Sequence, residues 1–230
     1  MDRPASGKGQ SSRPSPAIQD YLKTIYRLGE DGEERLVTTS EVAEALGVTA
    51  ASASNMLKKL DQMGYAQQTK RQGVLLTATG RQAALEVIRH HRLLETYLVA
   101  KLGVPWDEVH REAEILEHHL SEELVARIAA ALGDPNRDPH GDPIPTASGQ
   151  VAPIPAGRLH DLPDGAHAVV SRVNDRDPAL LRYLAERGLM PDAAVEVLAH
   201  APFGGPISVR VDGGRVVEIP QEAARAVHVE

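Results

Sequence analysis

The chain of 230 residues contains no cysteine. Disulfides, iron–sulfur clusters and thiolate zinc sites are excluded, so any metal held by its side chains must use nitrogen and oxygen donors. Aromatic residues make up only 3% of the sequence against 42% hydrophobic residues overall, which leaves Leu, Val, Ala and Ile to build the core. No apolar run approaches the roughly 18 residues that a membrane-spanning helix needs. The opening MDRPASGKGQSSRPSP lacks the apolar segment of a secretory signal. A cytoplasmic protein with no membrane partner is expected. Catalytic signatures are missing too: there is no HExxH, no Glu-x-x-His pair of the di-iron kind, no glycine-rich phosphate loop and no G-x-S-x-G. A hydrolytic or redox enzyme has little support.

What is present is unevenly distributed. The net charge of −7 conceals a basic segment beside an acidic one. Residues 1–82 carry 11 Lys and Arg against 9 Asp and Glu, whereas residues 83–135 carry 5 against 10. Within the first part, 48–82 holds Lys58, Lys59, Lys70, Arg71 and Arg81 against Asp61 alone. Such asymmetry between segments points to nucleic acid on one side and a cation or partner on the other.

Residues 1–16, rich in Pro, Ser and Gly, read as a disordered tail. Over 17–82 the apolar spacing predicts a helix from Ala17, with Ile18, Tyr21, Leu22, Ile25, Tyr26 and Leu28 on its inner face. A second helix capped by Thr39 or Ser40 follows. The third begins at Thr49 and has Met56, Leu57, Leu60 and Met63 as its apolar face. YAQQT, KRQG and VLLT then read as strand, turn and strand. This order is a winged helix-turn-helix. The third helix opens on small and polar residues that can enter a major groove. Thr49, Ala51, Ser52, Ser54 and Asn55 are the candidate groove residues, and Lys58, Lys70 and Arg71 the candidate phosphate contacts. A double-stranded DNA operator is the expected partner.

Residues 83–135 continue as helices: 79–102, then Trp106–Leu120, then Ser121–Leu132. Their apolar surface exceeds what a small domain can cover by itself, so a homodimer is expected. Residues 136–157, with repeated Pro, Gly and Asp, read as an extended linker. Residues 158–230 alternate like a small β domain, with Gly213-Gly214 as a hairpin turn, and are expected to form an SH3-like barrel. The fold class is therefore mainly α with a small β domain.

The stretch EAEILEHHL, Glu112–Leu120, crowds carboxylates and imidazoles on one helix. At about 100° per residue, with His110 as zero, Glu114 lies near 40°, Glu117 near −20° and His118 near 80°, so all four share one face. His91 and Glu95 stand at i, i+4 on the preceding helix and can face the same seam. Concentrated negative charge on a short helix costs stability unless a cation offsets it. Carboxylate-dominated sites with some imidazole suit hard, six-coordinate ions: Mn2+ fits, with Fe2+ as the alternative.

Three motifs together, DYLKTIYRL at Asp20–Leu28, HRLLE at His91–Glu95 and VHREAEILEHHLSEEL at Val109–Leu124, resemble the diphtheria-toxin-repressor family of metal-dependent transcription factors. The likeness spans roughly 17–230 and implies a winged helix, a helical metal-binding and dimerisation domain, and a C-terminal SH3-like domain. It further implies a primary metal site of Asp20, Glu114, Glu117 and His118, with carboxylates at Asp20 and Glu114 as in the manganese-regulator branch. His91, Glu95 and His110 match an ancillary or second site, to which the barrel can add Asn174, Asp175 or Asp177. Lys23 stands where the short manganese regulators carry a Glu ligand. The resemblance implies a repressor of metal-uptake genes. The alternatives are a metal-independent winged-helix DNA-binding protein and, behind it, a metalloenzyme.

Overall fold

The computed structural model of the chain describes residues 13–29, 35–69, 73–174 and 177–230. It falls into two compact units, Met1–Leu85 and Glu86–Glu230. The expected N-terminal tail lies almost wholly outside the described residues.

The first unit holds α1 (Pro16–Gly29), α2 (Thr39–Ala45), α3 (Ala50–Gln62), the strands β1 (Ala66–Thr69) and β2 (Gly73–Leu76), and the start of α4 (Ala78–Leu102). Ile18, Tyr21, Leu22, Ile25 and Tyr26 recur at helical spacing, and all are buried where α1 packs on α2 and α3. The cap of α2 is Thr38, one residue ahead of the expected position. Its hydroxyl accepts the Glu41 N–H at 3.2 Å, and Glu41 Oε2 accepts the Thr38 N–H at 2.7 Å. Only Thr38 has a Glu three residues on to close this box; Thr39 and Ser40 would find Val42 and Ala43 there. The hydrogen bonds from Thr38 hold the Glu41 carboxyl below its ordinary range. On α3 the buried face is Ala53, Leu57 and Leu60, a strict i, i+4, i+7 stripe. Met63 falls beyond the last helical residue and is exposed, and Met56 is half-buried, so the expected face is rotated toward Ala53.

The wing forms as expected, antiparallel, with Gln67 opposite Leu75 and Thr69 opposite Gly73. Val74 also bridges Val37, which lends the hairpin a short third member. At the base of the wing, a Cβ on Gly80 would lie 1.8 Å from the Tyr65 carbonyl oxygen, so α4 can start there only with glycine.

In the second unit α4 is followed by α5 (Val109–Leu116), a 3-10 turn at Glu117–His119, and α6 (Glu122–Ala131), whose first turn is capped by Ser121. The expected helix from Trp106 to Leu120 is thus shorter: a turn precedes it, and the backbone tightens at Glu117. Leu93, Leu94, Ala113, Val125, Ile128, Ala129 and Ile144 form one small core. Leu102, Ile115, Leu116 and Leu124 remain exposed, as a helical block with a further apolar face to cover requires.

Residues 136–157 contain no helix or strand, in keeping with their composition, but they are not a free tether. Asp138, His140, Asp142 and Ile144 are buried. Arg92 on α4 donates to the Pro143 carbonyl at 2.6 Å and to Asp142 at 3.1 Å. Asp142 also pairs with Arg172 at 2.9 Å, and Val173 N–H donates to the His140 carbonyl at 2.8 Å. The buried Arg92 and the half-buried Arg172 therefore recruit the aspartates that composition alone assigns to solvent. Gly141, at φ 89°, passes so close that a Cβ would lie 2.1 Å from the Ser171 carbonyl.

The C-terminal part contains β3 (His167–Val173), α7 (Pro178–Ala185), β4 (Ala194–His200), β5 (Ile207–Val211), β6 (Arg215–Ile219), α8 (Gln221–Arg225) and β7 (Val227–Val229). The strands form one antiparallel sheet in the order β6-β5-β4-β3-β7. Alternating Val and Ile line its core with Leu181 and Leu184 of α7. Gly213 turns the β5–β6 hairpin with φ 69°. The short closing strand β7 was not among the expected elements.

Candidate metal centre

Two helical pairs and a tight turn bring the ligand types together. His91 and Glu95, one turn apart on α4, are both fully buried. His110 and Glu114, one turn apart on α5, face them, half-exposed. Glu117 opens the 3-10 turn and is fully buried, with His118 beside it. Because the turn is not α-helical, the 100° projection does not carry past Leu116: Glu114 keeps company with His110 and His91, while Glu117 and His118 form a separate edge, their nearest atoms 3.5 Å apart.

The His91 imidazole stands between two sets of carboxylates. Its Nδ1 lies 2.5 Å from Glu117 Oε2 and 3.9 Å from Glu114 Oε1. Its Nε2 lies 2.9 Å from Glu95 Oε1 and 3.0 Å from His110 Nδ1, and the latter two atoms are also 3.0 Å apart. An Nδ1–H donated to Glu117 leaves the Nε2 lone pair aimed at this triangle, as ligation requires. Donors about 2.1 Å from a six-coordinate ion are spaced about 3.0 Å apart at adjacent vertices. A triangle of 2.9, 3.0 and 3.0 Å matches one face of such an octahedron. Burial pushes the Glu95 carboxyl up, but the electrostatic pull and hydrogen bonding of the surrounding His91, His110 and His140 rings more than offset it and hold the group well below its ordinary value. Glu95 is thus an anion where a cation would bind.

Glu95 has a second face. Its Oε2 and the Nδ1 of His140 are buried, 3.9 Å apart, and neither has a hydrogen-bond partner. The other ring nitrogen of His140 donates to the Trp106 carbonyl at 2.7 Å, which leaves Nδ1 as a lone pair. Asp138 completes this group. Its Oδ1 accepts the N–H groups of His140 and Asp142 at 2.8 and 3.0 Å, which folds the Asp138–Asp142 loop around it. Buried polar atoms without hydrogen-bond partners suit a site that would take a cation. Asp138 and His140 were not among the expected ligands, because they lie in a segment whose composition reads as linker. The spacing Asp-x-His-x-Asp was the available signal.

The remaining expectations divide. Asp20 lies half-buried on α1 in the first unit, about one turn before the buried Lys23. Asp177 is engaged elsewhere: its Oδ1 caps α7 by accepting the Ala179 N–H at 2.8 Å, and it belongs to none of the ligand groups among the described residues. Asp175, Lys70 and Arg71 lie outside the described residues. On α3, Ala51, Ser52, Asn55 and Lys58 are exposed and Ser54 is half-buried. Thr49 is the helix cap, accepting the Ser52 N–H at 3.2 Å and donating its hydroxyl to Ser52 Oγ at 3.1 Å. Its first duty is to start the helix, and the outer stripe Ser52, Asn55 and Lys58 is what a groove would meet.

A winged helix with an unencumbered recognition face, joined to a sulfur-free cluster of imidazoles and carboxylates, defines a metal-responsive DNA-binding protein. Comparison with known proteins carries this further. Residues 15–74 match the iron dependent repressor N-terminal DNA binding domain, 77–146 the iron dependent repressor metal binding and dimerisation domain, and 157–230 the FeoA domain. The iron-dependent repressor IdeR of Mycobacterium bovis is 34% identical over 222 residues, covering 91% of this chain and 95% of its own. The HTH-type transcriptional regulator MntR of Geobacillus kaustophilus is 37% identical over 115 residues, covering 50% of this chain and 79% of its own. A solved manganese-dependent transcriptional repressor in complex with manganese superposes with a TM-score of 0.86 at 47% identity, covering 93% of this chain and 99% of that one. The chain belongs to the iron-dependent repressor family, which includes the diphtheria toxin repressor and the MntR regulators. It is a metal-dependent transcriptional repressor rather than an enzyme, and it has the DNA-binding and dimerisation domains of that family. No helix among the described residues is long and apolar enough to cross a membrane.

Proposed function

We propose that the protein represses metal-uptake genes in response to Mn2+, with Fe2+ as the competing ion, and that it reads its operator as a homodimer. The observation that carries this reading is the triangle of the buried His91 Nε2 and Glu95 Oε1 with the half-exposed His110 Nδ1, with edges near 3 Å and no sulfur among the surrounding donors. Oxygen-rich sites with imidazole favour Mn2+ and Fe2+ over softer ions when six positions are filled. His91, Glu95, His110 and Glu114 hold one ion, and Asp138 and His140 extend the set through the second oxygen of Glu95. Glu117 and His118 hold the activating ion, for which the family resemblance implies Asp20 of the DNA-binding unit and Glu114 as the further ligands.

Bound there, the metal supplies positive charge that joins like-charged carboxylates. The chain's own residues do the rest. Glu117 orients His91, and Asp20 ties α1 to the acidic block, which narrows the ensemble of spacings between the two recognition helices of a dimer. Metal and DNA then tighten each other's binding by the same coupling, typically about 1–3 kcal/mol. Half-sites one helical turn apart, or a multiple of it, are read by the exposed stripe on α3. The exposed Leu102, Ile115, Leu116 and Leu124 supply apolar surface for pairing.

Fluorescence anisotropy of a labelled operator, titrated with protein in Mn2+, in Fe2+ under anaerobic conditions and in chelator, tests the proposal. Affinity should rise at least several-fold with metal, and more with Mn2+ than with Fe2+. Equal affinity in chelator and in metal would leave a metal-independent winged-helix protein.

A further inference from the structure

A further set of ligand-type residues lies on a different face of α4. Glu86 and His90 stand at i, i+4 on that helix, and Glu122 enters from the first turn of α6. One donor atom from each lies within 4.8 Å of the other two. The His90 ring is fully buried, and its Nε2 lies 3.1 Å from Glu122 Oε1. None of the three belongs to the groups around His91, Glu95 and His140, and the one-residue step from His91 to His90 turns the ring about 100° around α4.

We propose that Glu86, His90 and Glu122 form a separate divalent-cation site. Two carboxylates and one imidazole that converge within 4.8 Å offer a cation one nitrogen and two oxygen donors, and an ion among them would offset the repulsion of the two carboxylates. The set is asymmetric in a way that suits ion entry. His90 is locked in the interior, Glu86 is half-buried, and the Glu122 side chain is 68% exposed, so the site opens toward solvent on one side. Three protein donors of one nitrogen and two oxygens, with the remaining positions left to water, bind first-row divalent ions, and Zn2+ most tightly among the common ones. The consequence is structural. An ion here links the start of α6 to the middle of α4, and α6 carries Val125, Ile128 and Ala129 of the helical core. The site therefore clamps the acidic block independently of the metal that controls DNA.

The test is Zn2+ stoichiometry of the full chain by equilibrium dialysis, for the wild type, Glu122→Gln and Glu86→Gln. Each variant should bind one Zn2+ per chain fewer than the wild type. Glu122 is exposed, so its variant should melt as the wild type does in chelator and lose only part of the Zn2+-induced rise in melting temperature. The Mn2+ response of operator binding should persist in Glu122→Gln, which separates this site from the proposed regulatory ones. Unchanged Zn2+ stoichiometry in both variants would reduce the cluster to a hydrogen-bonded strut between two helices and overturn the proposal.

Discussion

Glu95→Gln exchanges one carboxylate oxygen for an amide nitrogen at nearly constant volume, so packing at a fully buried position is preserved while its charge is lost. Oε1 of Glu95 lies 2.9 Å from His91 and 3.0 Å from His110, and Oε2 faces His140 at 3.9 Å. One substitution therefore removes the carboxylate that the two ligand groups share, leaving Glu114 in one and Asp138 in the other. Even outer partners of metal ligands are worth about 10–100-fold in affinity, so a loss of about 100-fold is a modest figure for a direct donor. At a metal concentration about 100 times the wild-type Kd, binding stabilises the fold by about 2.7 kcal/mol. The variant, then close to its own Kd, gains only about 0.4 kcal/mol. The difference of about 2.3 kcal/mol amounts to about 5–9 °C in Tm for a protein of this size. Scanning calorimetry of both proteins in Mn2+ and in chelator measures it. The quantity to compare is the metal-induced shift within each protein, so any difference in metal-free stability cancels. A Glu95→Gln protein with the full wild-type shift would refute the assignment of Glu95 as a ligand.

Two other perturbations reach different parts of the molecule. Lys58→Ala, on the exposed stripe of α3, should weaken binding to all DNA sequences alike and lower the slope of log K against log salt by about 1, whereas Asn55→Ala should cost about 1–3 kcal/mol on the operator and less on random DNA; a salt series with both DNAs separates the two. Gly141→Ala forces a Cβ against the Ser171 carbonyl at a backbone φ of 89° and should cost about 1–3 kcal/mol, read as a lowered urea midpoint.

How far the sequence was legible depended on what kind of information each region carries. The winged helix could be read because periodicity and caps are local: the α1 face from Ile18 to Tyr26 and the hairpin at Gln67–Leu75 follow from spacing alone. His91, Glu95, His110 and Glu114 were also legible, since i, i+4 pairs on two helices share a face whatever else the fold does. Glu117 was harder, because the shift from α to 3-10 geometry at that residue rotates its side chain off the projected face. Asp138 and His140 were hidden by their setting, and only the Asp-x-His-x-Asp spacing hinted at them. Proline-rich composition reports on backbone hydrogen bonding and says nothing of whether Arg92 and Arg172 will bury neighbouring aspartates. Asp177 misled for the opposite reason: before a Pro-Ala helix start, an Asp is more useful as a cap than as a ligand.

The stacking of Trp106 on His140, with ring centroids 5.2 Å apart, has a practical outcome. Trp106 is the chain's sole indole, so its emission comes from one known place, against the imidazole at the edge of the ligand cluster. A paramagnetic ion arriving beside that ring quenches nearby excited states more strongly than a light diamagnetic ion does. The protein carries a built-in optical gauge, and a stopped-flow trace of its native fluorescence can time the arrival of an ion beside His140 with no dye or tag attached.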